Sequence, residues 1–205
     1  MKKRKKVSAE ITIDDPKTQA RKIHERIKKL HNIVTRAESG ESNISITALR
    51  SIEFLCSIEG KIQPFALFLV QSMLHRQSAE IKPDALPIIL NAIEAMQDRL
   101  GGGAAMPVRE GYWKCRKFQN ETQRLSNGIV VRIVKSDHLL LVEYALECFF
   151  QPVNPKAGYM VARQYVERWD SRYSIGIIPP SLPFLKDVVE YWTKTFGSSS
   201  VNPAL

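Results

Sequence analysis

Residues 112–118 contain three aromatic side chains and three bases, and these residue types point to chemistry more clearly than any other segment does. Aromatic rings stack on nucleobases while Lys and Arg neutralise backbone phosphates, so the combination is typical of nucleic-acid-binding surfaces. We predict a contact surface there that extends to a base further along the chain. Its residues are Tyr112, Trp113, Lys114, Arg116, Lys117, Phe118 and Arg132. In the alternative interpretation, Trp113 and Phe118 belong to the core and the lysines merely flank them.

A β-hairpin is predicted around this surface. Asn127-Gly128 separates residues 112–126 from residues 129–135, and Asn-Gly is a strong hairpin signal because both residues tolerate positive φ. Successive side chains of a strand point to opposite faces, so every second residue of 112–118 would share one side. The prediction is therefore a sheet face that carries rings and cations together.

Positive charge also concentrates at the N-terminal end of the chain. Of the net +9, residues 1–30 carry +7, residues 31–110 carry −2 and residues 111–205 carry +4. A concentrated basic region is better evidence for a polyanionic partner than uniform basicity is. The candidate contacts here are Lys2, Lys3, Arg4, Lys5, Lys6, Arg21, Lys22, Arg26, Lys28 and Lys29. The run of bases at residues 2–6 has three open interpretations: a phosphate contact, a nuclear address or a solubilising tail.

Four helices are predicted to precede residue 101. In the first, Asp14 or Asp15 is the N-cap, Pro16 is the first helical residue, and apolar residues then recur at three- and four-residue spacing. This seam indicates contact with another helix, within the chain, in a partner or in a second copy. The residues proposed for that contact are Ile23, Ile27, Leu30 and Val34. A helix-turn-helix formed by the second and third helices is not favoured, because residues 65–70 are apolar where a recognition helix needs polar groups.

The predicted fold class is α+β and mostly α, with a four-helix N-terminal bundle followed by a small β-hairpin packed by two or three helices. We expect a basic flexible arm at 1–13, the helical bundle at 14–100, a Gly-rich linker at 101–111, an α+β region at 112–197 and a frayed tail at 198–205. Residues 139–150 fit a strand or a helix. The helix is favoured because twelve residues are long for a strand and Ala, Leu and Glu are good helix formers.

Motifs for catalysis are missing from the sequence. It contains no Walker A loop, no dinucleotide fingerprint, no H-E-x-x-H and no G-x-S-x-G. His138 with Glu143 and Glu147 would suit a small metal or acid–base site, but two carboxylates at i, i+4 are more often a solvated helix stripe. The three cysteines are odd in number and unpaired in spacing, so neither a disulfide framework nor a zinc site is predicted. No cofactor and no metal are expected.

The sequence contains no run of 18 apolar residues and no apolar segment directly after its N-terminal bases, so neither a transmembrane helix nor a secretory signal is predicted. A cytoplasmic location is expected, or a nuclear one if the source is a eukaryote or its virus. The predicted function is that of a non-enzymatic nucleic-acid-binding protein, for RNA or DNA: a nucleoprotein component, a regulator, or a viral or mobile-element accessory factor. The alternative is a protein–protein interaction adaptor or oligomeric scaffold built on the N-terminal helices.

Overall fold

A computed structural model of the chain describes residues 15–40, 46–119, 121–124, 130–133, 136–167 and 182–197. These residues form eight α-helices, a 3-10 turn at Ser78–Glu80 and one pair of short strands. The helices are α1 Pro16–Glu38, α2 Ile46–Cys56, α3 Ile62–Gln77, α4 Leu86–Leu100, α5 Met106–Gln119, α6 Asp137–Phe150, α7 Pro155–Glu167 and α8 Leu182–Gly197. The strands are β1 Glu121–Arg124 and β2 Val130–Ile133. The predicted arm at 1–13 and tail at 198–205 lie outside the described residues.

Helix α1 begins as the sequence predicts. The Asp15 carboxylate accepts hydrogen bonds from the backbone N–H groups of Lys17 and Thr18 at 3.0 and 3.1 Å, and Pro16 is the first helical residue. A further hydrogen bond from the Thr18 hydroxyl, the largest contribution, lowers the pKa of Asp15. This N-cap satisfies two of the backbone donors that a helix leaves unpaired at its start.

The centre of the molecule is built from α3 and α6, both apolar on nearly every side. Phe65, Leu69 and Met73 of α3 are fully buried, and α6 buries residues on most of its circumference, from Leu139 to Phe149. A helix apolar all round must be covered on all sides. The apolar residues 65–70 thus lie in a buried helix, and the helical interpretation of residues 139–150 is confirmed. A buried α3 cannot enter a nucleic-acid groove as a recognition helix.

The predicted four-helix N-terminal bundle is wrong, because helices from the two halves of the chain pack against one another. The most extensive helix pairing is α2 with α7; α3 packs on α6 and α7, α4 on α5 and α6, and α1 on α2 and α8. The buried apolar residues of both halves form one cluster. Helix packing through a continuous apolar core therefore replaces the separate bundle, and the fold class is helical rather than α+β.

The predicted hairpin with an extended segment at 112–118 is also wrong, because these residues belong to α5. Val108 and Cys115 are buried, and Tyr112 and Phe118 are half-buried, at the spacing of one helix face. Burying that face on α4 and α6 stabilises residues 112–118 as a helix. Extended structure in the described residues is limited to the antiparallel pairing of β1 with β2, four residues each, with Glu121 opposite Ile133. Helix α5 begins at Met106, inside the stretch predicted as a linker.

The α2–α7 contact is unusually close at Gly158. A Cβ atom placed on Gly158 would lie 2.5 Å from Sγ and 2.9 Å from Cβ of Cys56, and 3.1 Å from Cγ1 of Ile62. At Gly111, on α5, the nearest atom to such a Cβ is Cδ1 of Leu146 at 3.6 Å, an ordinary van der Waals distance. Gly158 is thus required for the approach of two helices, whereas Gly111 is not.

Helix α8 is fixed to α3 and α7 by an ionic cluster. Arg76 donates from Nε and Nη2 to Oδ2 and Oδ1 of Asp187 at 2.7 and 2.5 Å, and the Tyr165 hydroxyl donates to Oδ2 at 2.7 Å. Burial, followed by this hydrogen bond, raises the pKa of Tyr165. The cluster therefore keeps a neutral phenol and a charged pair together where three helices meet.

Candidate nucleic-acid interface

Among the described residues, Trp113 has the most exposed aromatic side chain, with 62 % of its surface accessible. It lies on the outer face of α5, where Arg109, Arg116 and Lys117 stand four residues before it and three and four residues after it. Residues at these spacings are neighbours on a helix surface. The outer face of α5 therefore presents an indole ring with three bases and one acid, Glu110, at the neighbouring positions.

Contacts within the helix brace this indole. The Arg116 guanidinium carbon lies 5.8 Å from the ring centre of Tyr112 and 5.9 Å from that of Trp113, and Nη1 donates to the Tyr112 hydroxyl at 2.7 Å. Tyr112 meets Phe150 of α6 edge-on, with ring centres 5.4 Å apart at 87°, and meets Trp113 edge-on at 5.4 Å and 77°. Because Tyr112 is half-buried against α6, it anchors both of its exposed neighbours.

A basic groove runs beside this face, between α5 and the residues that precede α4. Lys82, Lys114 and Lys117 line it together with Asp84, Ile88 and Phe118, around a volume of about 510 Å³. Three ammonium groups face one carboxylate, so the groove favours an anion. We call the outer face of α5 and this groove together the α5 surface; its members are Lys82, Arg109, Trp113, Lys114, Arg116 and Lys117.

The structure brings together the predicted contact residues of 112–118, but on a helix rather than on the expected strand. Lys114, Arg116 and Lys117 are exposed with Trp113, while Tyr112 and Phe118 are half-buried against the core. The surface interpretation thus holds for Trp113, and the core interpretation holds for Phe118 and also for Tyr112. Arg132 lies in β2, and its side chain is outside the described part of the structure. The predicted contacts Lys2, Lys3, Arg4, Lys5 and Lys6 also fall outside it.

Helix α1 forms a second basic surface. It carries seven bases and two acids, and Leu30 is its one fully buried residue. Arg21 lies 4.0 Å from Glu25, and the Arg26 guanidinium carbon lies 5.2 Å from the ring centre of Phe54 on α2. Lys28 and Lys29 are exposed and Lys22 is half-buried. Since α1 packs on α2 and α8 whereas α5 packs on α4 and α6, the two basic surfaces belong to different parts of the fold.

Sequence reasoning missed Lys82 and Arg109. Arg109 could be found from the buried stripe of α5, because that stripe places position 109 on the same face as Trp113. Lys82 gives no such signal: it lies 32 positions before Lys114, and only the packing of α4 on α5 brings the two together.

Neither a metal site nor a membrane-spanning helix is found among the described residues. In the part of the chain that the structure describes, no group of three or more His, Cys, Asp or Glu side chains is placed to hold a metal ion. Of the candidate set His138, Glu143 and Glu147, the first two are buried on α6 and Glu147 is half-buried, so the two carboxylates do not form a solvated stripe either. Within the same described ranges, none of the helices has the length and apolar content needed to cross a bilayer.

The chain has no recognisable relatives in the comparisons made. No protein-family model, no curated protein and no solved structure matches it significantly. The α5 surface is therefore the main indication of what the protein binds.

Proposed function

We propose that this chain is a non-enzymatic nucleic-acid-binding protein and that the α5 surface makes the contact. The observation that carries the proposal is the exposed indole of Trp113, braced by Arg116 and adjacent to a groove with three lysines. An exposed indole offers a flat apolar face on which an unpaired base can stack. Bases on both sides select an anionic partner with flat rings, which describes a nucleic-acid strand.

The chemistry of each side chain assigns its role in the proposed contact. Lys82, Lys114 and Lys117 would contact successive phosphates and release their counterions, and Trp113 would stack on a base. Stacking contributes about 1–3 kcal/mol per base and needs an unpaired base, so the site favours single strands over duplex. RNA and DNA share both features, and a cytoplasmic or nuclear location belongs to the same proposal.

Fluorescence anisotropy with a labelled 12-nucleotide single strand tests this proposal. In 50 mM salt we expect binding that weakens steeply as salt rises to 200 mM. Each phosphate contact contributes about 0.7 to the logarithmic salt slope for single strands. The K114Q/K117Q variant should therefore lower the slope by about 1.4, whereas Trp113→Ala should weaken binding by about 1–3 kcal/mol and leave the slope unchanged.

A matched charge control is available on other helices. K156Q/K186Q also removes two exposed lysines, from α7 and α8, and should leave affinity within twofold of the wild type. Trp113 is exposed, so its replacement should not alter the far-ultraviolet circular dichroism spectrum. If both double variants reduce affinity equally, only net charge matters and the α5 surface is not a site. Absence of binding at 50 mM salt would reject the proposal altogether.

An interaction scaffold remains the second proposal, with weaker support. It depends on self-association or partner binding through Ile23, Ile27, Leu30 and Val34. Leu30 is fully buried, and the other three are half-buried and pack against the core on the side of α2 and α8. The seam that motivated this function is therefore occupied at Leu30, whereas Ile23 and Ile27 are covered only in part.

A further inference from the structure

An apolar groove lies between α1 and α8, away from the α5 surface. Ala20, Ile23 and Ile27 of α1 form one wall, and Phe196 of α8 forms the other, around a volume of about 570 Å³. Small-molecule sites are mostly apolar cavities of roughly 300–1,000 Å³ with a few placed polar groups. The groove has the size and lining of such a site, and nothing in the proposed nucleic-acid contact uses it.

One edge of the groove is polar and carries a single ammonium group, that of Lys28. His24, Lys28 and His31 line it at positions i, i+4 and i+7 of α1, so they stand on successive turns beside the apolar wall. Among the described residues that line the groove, none is acidic. An occupant with one negatively charged end and one apolar end would match both stripes at once.

The walls are held in place without an occupant. The Thr193 hydroxyl donates to the backbone oxygen of Val189 at 2.7 Å, so at 2.9 Å it accepts a hydrogen bond from Nε2 of His31, which bridges the two helices. Phe196 stacks on the fully buried Trp192, with ring centres 5.8 Å apart at 11°. A preformed groove spares an occupant the ordering cost that weakens binding to mobile sites.

We propose that this groove binds an amphipathic anion, specifically a medium- or long-chain carboxylate. The alkyl chain would lie on Ile23, Ile27 and Phe196, and the carboxylate would accept charge-assisted hydrogen bonds from Lys28 and His24. Burying methylene groups supplies most of the affinity, and the polar edge selects the charged head. The proposal is independent of nucleic-acid binding, because it uses different helices and a different ligand.

Isothermal titration calorimetry of the full chain with decanoate, dodecanoate and dodecanol tests this assignment. Each added methylene that enters the groove should tighten binding by up to about fourfold, and dodecanoate should bind about three- to tenfold more tightly than dodecanol. Lys28→Gln should remove most of that preference, while Lys29→Gln, a neighbouring exposed lysine that does not line the groove, should retain it.

A second pair of variants tests the apolar wall. Ala20 and Gln19 are both exposed, but only Ala20 lines the groove, so Ala20→Trp should block dodecanoate and Gln19→Trp should not. Neither change disturbs the core, which keeps the test independent of folding. Equal affinity for dodecanoate and dodecanol, equal effects of the two lysine variants, or equal effects of the two tryptophan variants would each overturn the proposal. So would the absence of any binding.

Discussion

Replacing Gly158 with alanine should destabilise the protein by about 2 kcal/mol, and the distances in the α2–α7 contact explain why. The added methyl group would lie 2.5 and 2.9 Å from Sγ and Cβ of Cys56. The Cβ atom is bonded directly to the α2 backbone and cannot rotate away as Sγ can, so relief of this contact requires the helices to separate. Overpacking costs about 1–3 kcal/mol, and a contact this short belongs at or above the upper end. The better helix propensity of alanine offsets up to about 1 kcal/mol.

Gly111→Ala is the matched control, since it makes the same chemical change inside another helix. Its methyl group would meet Leu146 at 3.6 Å without overlap. We expect this variant to be more stable than the wild type by about 0.5–1 kcal/mol, through helix propensity alone. Urea denaturation followed by circular dichroism measures both free energies of unfolding. In a chain of this size the Gly158 variant should also melt about 4–8 °C below the wild type.

A double-mutant cycle locates the effect. Cys56→Ala removes the sulfur that the new methyl group would overlap, so G158A combined with C56A should lose less stability than the sum of the two single changes, by about 1 kcal/mol. If Gly158→Ala is as stable as the wild type, or if the two changes are additive, the close α2–α7 packing described here is incorrect.

The Arg76–Asp187 ion pair should stabilise the fold more than its neighbour on α8, the Lys186–Glu38 pair. The side chains of Arg76 and Asp187 are 40 % and 13 % exposed, and Tyr165 also donates to the carboxylate, whereas Lys186 and Glu38 are 51 % and 46 % exposed. Asp187→Asn should therefore cost about 1–2 kcal/mol in urea denaturation and Glu38→Gln less than about 0.5 kcal/mol, and the reverse order would refute this ranking. The three cysteines are all free and buried, and burial raises the pKa of each thiol. The thiols ionise from about pH 9 in the unfolded chain but stay protonated in the folded one. The free energy of unfolding should therefore fall above pH 9, by up to about 1.4 kcal/mol per pH unit for each thiol. If the free energy of unfolding stays constant from about pH 8 to 10.5, the cysteines are not buried.

Local patterns in the sequence identify several helices, because burial on one face leaves a readable period. The capped start of α1 is predicted from Asp15 and Pro16, and the inward residues of α8, including Val188 and Trp192, are predicted from their spacing. The same logic applied to α5 would identify a helix, since Val108 and Cys115 lie on one face. Asn127-Gly128 falls in the sequence between β1 and β2, which pair, but the strand predicted at 112–118 is replaced by α5 because its apolar face is buried on α4 and α6.

What the sequence cannot provide is the pairing of distant helices. The apolar face of α2 could pack on the apolar face of any other helix. The absence of a side chain at Gly158 explains why α7 approaches α2 so closely. The α5 surface shows the same limit: Trp113 and its neighbouring bases are readable, but the contribution of Lys82 requires knowing that α4 packs on α5. Composition therefore leads to the proposed class of partner, and packing determines which side chains share one surface.

The bridge between His31 and Thr193 has a consequence for biosynthesis. These residues are 162 positions apart, and α1 depends on α8 for part of its cover. At about 5–20 residues per second, the ribosome completes α8 roughly 8–30 s after α1 is made. During that interval Ile23 and Ile27 lack one wall of their groove, so a nascent chain presents a basic amphipathic helix to chaperones before it can close its own structure.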